Sequence, residues 1–173
     1  ACQDDFETFD VMRKSQFLIW DLPLLESYWQ DLQEGKAQGR NLVMEKYAYM
    51  MESTAPKEYE AIATGLPKIS EEKQAMVEQI VAIQVGWREE FAEKYPHLSG
   101  QARIIHTSED TLYDISFETY LRGELKTYSM QTLVLYGRRI VAFVQEQKNM
   151  TEEIMRYTTA FYGYKTLEDA EIK

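Results

Sequence analysis

Between Ser70 and Pro96 the chain places Met76, Ile80, Ile83, Trp87 and Phe91 at three- and four-residue spacing. That is the apolar stripe of an amphipathic helix. The opposite signal, β-branched residues alternating with polar ones, is nearly absent, and no convincing strand can be drawn. The chain is therefore read as all-α. Ser70-Glu71-Glu72 opens the striped helix with acids on its positive dipole end, and Pro96 and Gly100 terminate it.

The same rules divide the rest of the chain. Phe6 to Trp20 reads as a helix, and Asp21-Leu22-Pro23 as a capped restart running to about Glu34. Gly35 and Gly39 bracket a turn, and Asn41 to Glu52 is helical. Ser53-Thr54-Ala55-Pro56 stops the chain and starts a short helix to about Ala63, ended by Gly65 and Pro67. Arg103 to Ile115 is irregular and polar. Ser116 to about Gln147 is expected to be long and helical, broken near Gly137. Thr151-Glu152-Glu153 caps a helix to Tyr162 that Gly163 closes, and Thr166 to Ile172 forms a last turn. Trp20, Trp29 and Trp87 are read as core. With 173 residues the chain is expected to be one domain, 1–173.

An internal echo runs through the helices. Phe6-Glu7-Thr8-Phe9 recurs as Phe117-Glu118-Thr119-Tyr120, Met12-Arg13 as Leu121-Arg122, and Glu45-Lys46-Tyr47 is matched by Met155-Arg156-Tyr157. A degenerate duplication is expected, giving a helical bundle of two related halves, about 1–65 and 71–173. Asp4-Asp5 then corresponds loosely to Glu109-Asp110, and Arg13 and Arg122 take equivalent places. The helix 71–94 has no counterpart before Cys2. Ala1 is not an initiator methionine, so a matching helix is expected upstream or on another piece.

The net charge of −10 argues against a nucleic-acid partner, since that binding needs Lys and Arg to neutralise phosphates. It also disfavours adhesion to an anionic membrane. No apolar run approaches the roughly 20 residues of a membrane span. One cysteine excludes an internal disulfide framework, and a cytoplasmic location is the expectation.

His106-Thr-Ser-Glu-Asp-Thr111 concentrates an imidazole, hydroxyls and carboxylates between two helical segments. Four readings compete for it and for Cys2-Gln-Asp-Asp. Cys2, Asp4, Asp5 and His106 are competent ligands for a divalent metal, with Glu109 and Asp110 nearby in sequence, although no established metal spacing is present. Cys2 with His106 and Glu109 or Asp110 supplies the residue types of a Cys-His-acid nucleophile. Arg13 and Arg122, with Tyr120, Glu124 and Tyr128, offer a clamp for a small anionic molecule. The bland alternative is a helix cap built from Thr107, Ser108 and Asp110, with Glu118 and Arg122 as an ordinary i,i+4 ion pair. The leading expectation is an acid–base site between the halves, centred on His106, Glu109, Asp110 and Cys2. The other is a non-catalytic module that docks to a partner domain or a second copy as a homodimer. That reading predicts a contiguous exposed apolar patch and no ordered pocket around His106.

Cys2-Gln-Asp-Asp, Glu45-Lys-Tyr-Ala-Tyr-Met-Met-Glu-Ser-Thr-Ala-Pro, His106-Thr-Ser-Glu-Asp-Thr and Ser116-Phe-Glu-Thr-Tyr-Leu-Arg-Gly-Glu-Leu together resemble a bacterial and archaeal family catalogued as a domain of unknown function. The resemblance covers almost the whole chain. It implies an extra helix and a Gly-rich turn before Cys2, and association with a nucleotidyltransferase-like domain. It brings no activity.

Overall fold

Eight of the ten helices among the described residues start where a short polar side chain takes up a backbone N–H group that a first turn leaves free, and the other two start at a proline. In the computed structural model, which describes residues 5–172, Asp5 caps α1 (Phe6–Leu18), Asp21 caps α2 (Leu22–Ala37) and Asn41 caps α3 (Leu42–Thr54). Pro56 opens α4 (Pro56–Ile62), and Ser70 caps α5 (Glu71–Lys94). After the short α6 (Pro96–Gly100) and the polar segment, Ser116 caps α7 (Phe117–Thr127). Ser129 caps α8 (Met130–Gln145), Asn149 caps α9 (Met150–Phe161) and Thr166 caps α10 (Leu167–Glu171). There is no strand among the described residues, and no helix is long and apolar enough to cross a membrane.

Three sequence boundaries are corrected: Asn149, rather than Thr151-Glu152-Glu153, caps α9, and two further helix ends move. The long helix after Ser116 breaks at Tyr128–Ser129 rather than near Gly137. The Ser129 side chain accepts from Thr132 N, and its own N–H is taken by Asp31 of α2, so the break is held from both sides. Gly35 lies inside α2 instead of ending it, and its missing side chain leaves room for Leu42. Gly39, at φ +68°, makes the turn.

The core lies where α5 packs along α7, α8 and α9, while α2 packs on α8. Leu24, Val77, Leu125, Leu133 and Met150 are fully covered there. Each such side chain contributes about 1.5–3 kcal/mol relative to exposure. Trp20 sits at the centre of an aromatic group, edge-on to Phe17, Tyr28, Tyr128 and Tyr136. Trp87 is also core, but Trp29 is 64 % exposed, against the sequence expectation. Its helix turns the buried stripe of Leu24, Ser27, Tyr28 and Asp31 inward, which leaves position 29 on the outer side.

Two runs of three helices are alike in order and length. By their caps, α1–α2–α3 correspond to α7–α8–α9, with lengths of 13, 16 and 13 residues against 11, 16 and 12. The packing is reciprocal: α1 lies on α9, α3 lies on α7, and α2 meets α8. Only the second set has a long helix, α5, laid across all three members. In this register the counterpart of Arg13 is Glu124, not Arg122. The two counterparts face each other and form an ion pair of 2.7 Å.

Candidate functional site

The polar segment is tied down by the helix that follows it. Phe117 N and Glu118 N donate to the carbonyls of Ile104 and Ile105, which fixes the segment against the first turn of α7. A 3-10 turn, Thr107–Glu109, follows His106, whose backbone N–H donates to Glu109 Oε2 at 3.2 Å. Thr107 N donates to Glu118 Oε2 at 2.9 Å.

Asp110 is the knot of this segment. Its carboxylate accepts from Ser116 N (2.7 Å), from Ser53 Oγ of α3 (2.6 Å) and from Thr119 Oγ1 of α7. Burial pushes the carboxyl up, and the hydrogen bonds from Ser53, Thr119 and Ser116 outweigh that, leaving its pKa below the ordinary carboxylate value. Because the ionised carboxylate only accepts, Thr119 must donate to it, and Thr107 in turn donates to Thr119 at 2.8 Å. Arg122 Nη1 donates to Thr107 Oγ1 at 3.1 Å, closing a relay from α7 through the segment and back.

Arg122 also holds Glu78 of α5 (2.8 Å) and Glu118 (2.7 Å), so the i,i+4 pair read from the sequence is present with a third member. Arg122 and Glu78, with Lys126, Glu52, Ser53 and Thr107, line a cleft of about 400 Å³ between α3, α5 and α7. The Lys126 side chain is largely buried and reaches Glu52 at 3.0 Å. At Gly123 the helices α3 and α7 approach so closely that a Cβ would lie 2.7 Å from Met50 Cγ and 3.0 Å from the Lys46 carbonyl oxygen.

A second polar centre is buried between the two helix sets. Glu124 accepts from Arg13 (2.7 Å), Lys46 (3.0 Å) and the Tyr128 hydroxyl (3.1 Å), while Arg13 also donates to the Tyr28 hydroxyl. Burial opposes the charge on Glu124, and the cations Arg13 and Lys46 more than offset it, so its carboxyl titrates below the usual range. For Lys46 burial wins over Glu124, and its pKa falls. Its ammonium also lies 3.5 Å from the centre of the Tyr120 ring.

The sequence-derived candidates fall into separate places. Arg13, Glu124 and Tyr128 join one network, with Tyr120 beside it through Lys46. Arg122 and Asp110 join the other through Thr107 and Thr119. The two guanidinium groups of Arg13 and Arg122 hold different carboxylates. His106 Nε2 lies 3.1 Å from Glu89 Oε1 on an open face. Asp5 accepts from both the backbone and the hydroxyl of Thr8 as the cap of α1. Cys2 and Asp4 lie outside the described residues. Among the described residues no three His, Cys, Asp or Glu side chains converge to hold a metal ion. Ser53, Lys46, Glu78 and Lys126 were invisible as candidates: nothing local distinguishes them, and their partners lie far along the chain.

Comparison with known proteins brings a family. A family model described as a protein of unknown function (DUF4125) matches residues 1–172. No curated protein and no solved structure matches.

Proposed function

The chain belongs to the DUF4125 family, whose description carries no activity, and from that premise we propose that it is a helical docking module. The face of α1, α2 and α3 receives an amphipathic helix of the α5 type, supplied by polypeptide beyond these residues. The observation that carries this reading is the difference between corresponding positions in the two helix sets. Phe117 lies under Arg88 of α5, Asn149 donates to the Trp87 carbonyl of α5, and Glu152 pairs with Lys94 of α5. Their counterparts Phe6, Asn41 and Met44 are exposed, Phe6 to 79 % and Met44 to 69 %. Leu133 and Ile140 are buried, whereas their counterparts Leu25 and Leu32 are half-covered. Trp29 stands where the second set has Gly137. Apolar side chains in this number on one face are what a partner helix would cover. The resemblance to proteins with a nucleotidyltransferase-like domain offers one carrier of such a helix, and a cytoplasmic setting suits the single cysteine.

Photo-crosslinkers placed at Trp29 and Met44 of the full-length gene product, expressed in its native cell, test this reading. Crosslinks into one segment with apolar residues at three- and four-residue spacing are expected. Crosslinks into the same face of a second copy would make it a homodimer surface, and an absence of crosslinks would remove the docking reading.

A second reading has its own observation. The cleft of Arg122 and Lys126 opposes cations and hydroxyls to carboxylates at a partly exposed rim, and a small polar ligand can replace Glu52 or Glu78 there. In that reading His106, next in the chain to Thr107 of the cleft, and its neighbouring carboxylates provide acid–base groups. A thermal-shift screen of small carboxylic and phosphorylated metabolites tests it. Stabilisation lost in both Arg122→Met and His106→Ala is the expected result, and a ligand whose effect ignores both variants would exclude it.

A further inference from the structure

The second half of α5 carries a cation that has no counter-charge among the described residues. Arg88 has a buried Nε with no hydrogen-bond partner, and no carboxylate pairs with it among the described residues. Its guanidinium rests 5.3 Å from the centre of the Phe117 ring. Burial lowers the pKa of Arg88, and the positive charge of Arg103 lowers it further. Arg103 lies 4.5 Å from the centre of the Tyr120 ring, and its Nη1 reaches the Ile115 carbonyl at 3.4 Å, the long limit of a hydrogen bond. Phe117 and Tyr120 are one turn apart on α7, and the Ile104–Ile105 backbone next to Arg103 is hydrogen-bonded to that same turn. The two cations therefore each rest on one of two rings that stand a turn apart on α7.

This arrangement is costly as it stands. A desolvated guanidinium without a partner loses hydration and regains little from a ring face. Acidic residues outnumber basic ones, 29 against 19, so a carboxylate partner would be easy to supply, yet none is placed here. We propose that Arg88 and Arg103 bind a phosphoryl group over the Phe117 and Tyr120 rings. A phosphoryl group offers three oxygens on a tetrahedral centre, against two coplanar ones in a carboxylate, and so can take guanidinium forks from two directions. Arg103 is exposed, which leaves the site open to a phosphate monoester or to free phosphate. The site is separate from the Arg122 cleft, because Phe117 and Tyr120 lie on the opposite side of α7 from Arg122 and Lys126.

Calorimetric titration of the full chain with inorganic phosphate at constant ionic strength tests the assignment, with thermal unfolding as a second readout. Saturable binding and a raised Tm are expected. Arg88→Met and Arg103→Met should each weaken binding by about ten- to a hundred-fold, the loss of one charge-assisted contact. Arg88→Lys keeps the charge without the fork, and should also weaken it if Arg88→Met fails to fold. Arg40→Met, in the turn between α2 and α3, should leave it unchanged. No binding of phosphate, an equal response to acetate, or binding lost equally in Arg40→Met would each overturn the proposal.

Discussion

The helix set α1–α2–α3 and the set α7–α8–α9 share order, caps and reciprocal packing, yet they differ in how much of each is covered. Leu125 and Leu133 are fully buried, while the first set shows Phe6, Trp29, Val43 and Met44 to solvent. Local sequence does not explain the difference, since both sets carry apolar residues at helical spacing. The second set has α5 across it and the first does not. Burial here is a property of what lies on top of a helix more than of the helix itself.

The largest expected effect strikes the point where the two sets meet. Glu124→Ala leaves Arg13 and Lys46 buried without their carboxylate and should cost about 3–5 kcal/mol in chemical denaturation. A loss under about 1 kcal/mol would mean that the two sets are not locked together there. Next come the corresponding leucines. Leu133→Ala should cost about 2–5 kcal/mol, and Leu25→Ala distinctly less, because Leu25 has no α5 above it. Equal costs would break the comparison.

Acid should weaken the molecule through Glu124, Asp110 and Glu118, whose carboxyl pKa values are all lowered by folding. The sign is that of a depressed acid. The stabilisation is fully present above the ordinary carboxylate range and is lost as pH falls through the folded pKa values. Denaturation midpoints followed from neutral to acid pH should fall for the wild type and fall less for Glu124→Gln. Smaller still, Asp110→Ala should cost about 1–3 kcal/mol by leaving the Ser116 N–H and two hydroxyls without their acceptor. His106→Ala and Trp29→Ser should each stay within about 0.5 kcal/mol, as substitutions on open faces do. A large loss in His106→Ala would show that the imidazole carries structure.

Much of the fold was legible because helix starts are local events. Asp21, Asn41, Ser70 and Thr166 each cap within three or four residues, and the all-α reading follows from their spacing. The break at Ser129 was missed because Gly137 looked the better breaker. A glycine inside a helix costs only about 1 kcal/mol, and the packing of Tyr136 and Ile140 on either side holds α8 together there. The candidate site was legible as composition and not as connection. The polar segment stood out, but the donors to Asp110 come partly from Ser53 on α3, and those to Glu124 come from Arg13 and Lys46. Arg13 and Arg122, matched through short words of sequence, hold different carboxylates, and aligning the helix caps sets Arg13 against Glu124 instead.

The sequence by itself determined the all-α class, most of the helix starts and the polarity of the 103–115 segment, because these depend on groups within a turn or two of one another. Only the tertiary structure decided which half α5 would cover and which carboxylate each arginine would hold. It also decided that Arg88 and Arg103 would stand together on Phe117 and Tyr120. Those outcomes depend on distances between residues remote in the chain, and a helical periodicity, which says which face is apolar, does not say what will lie against it.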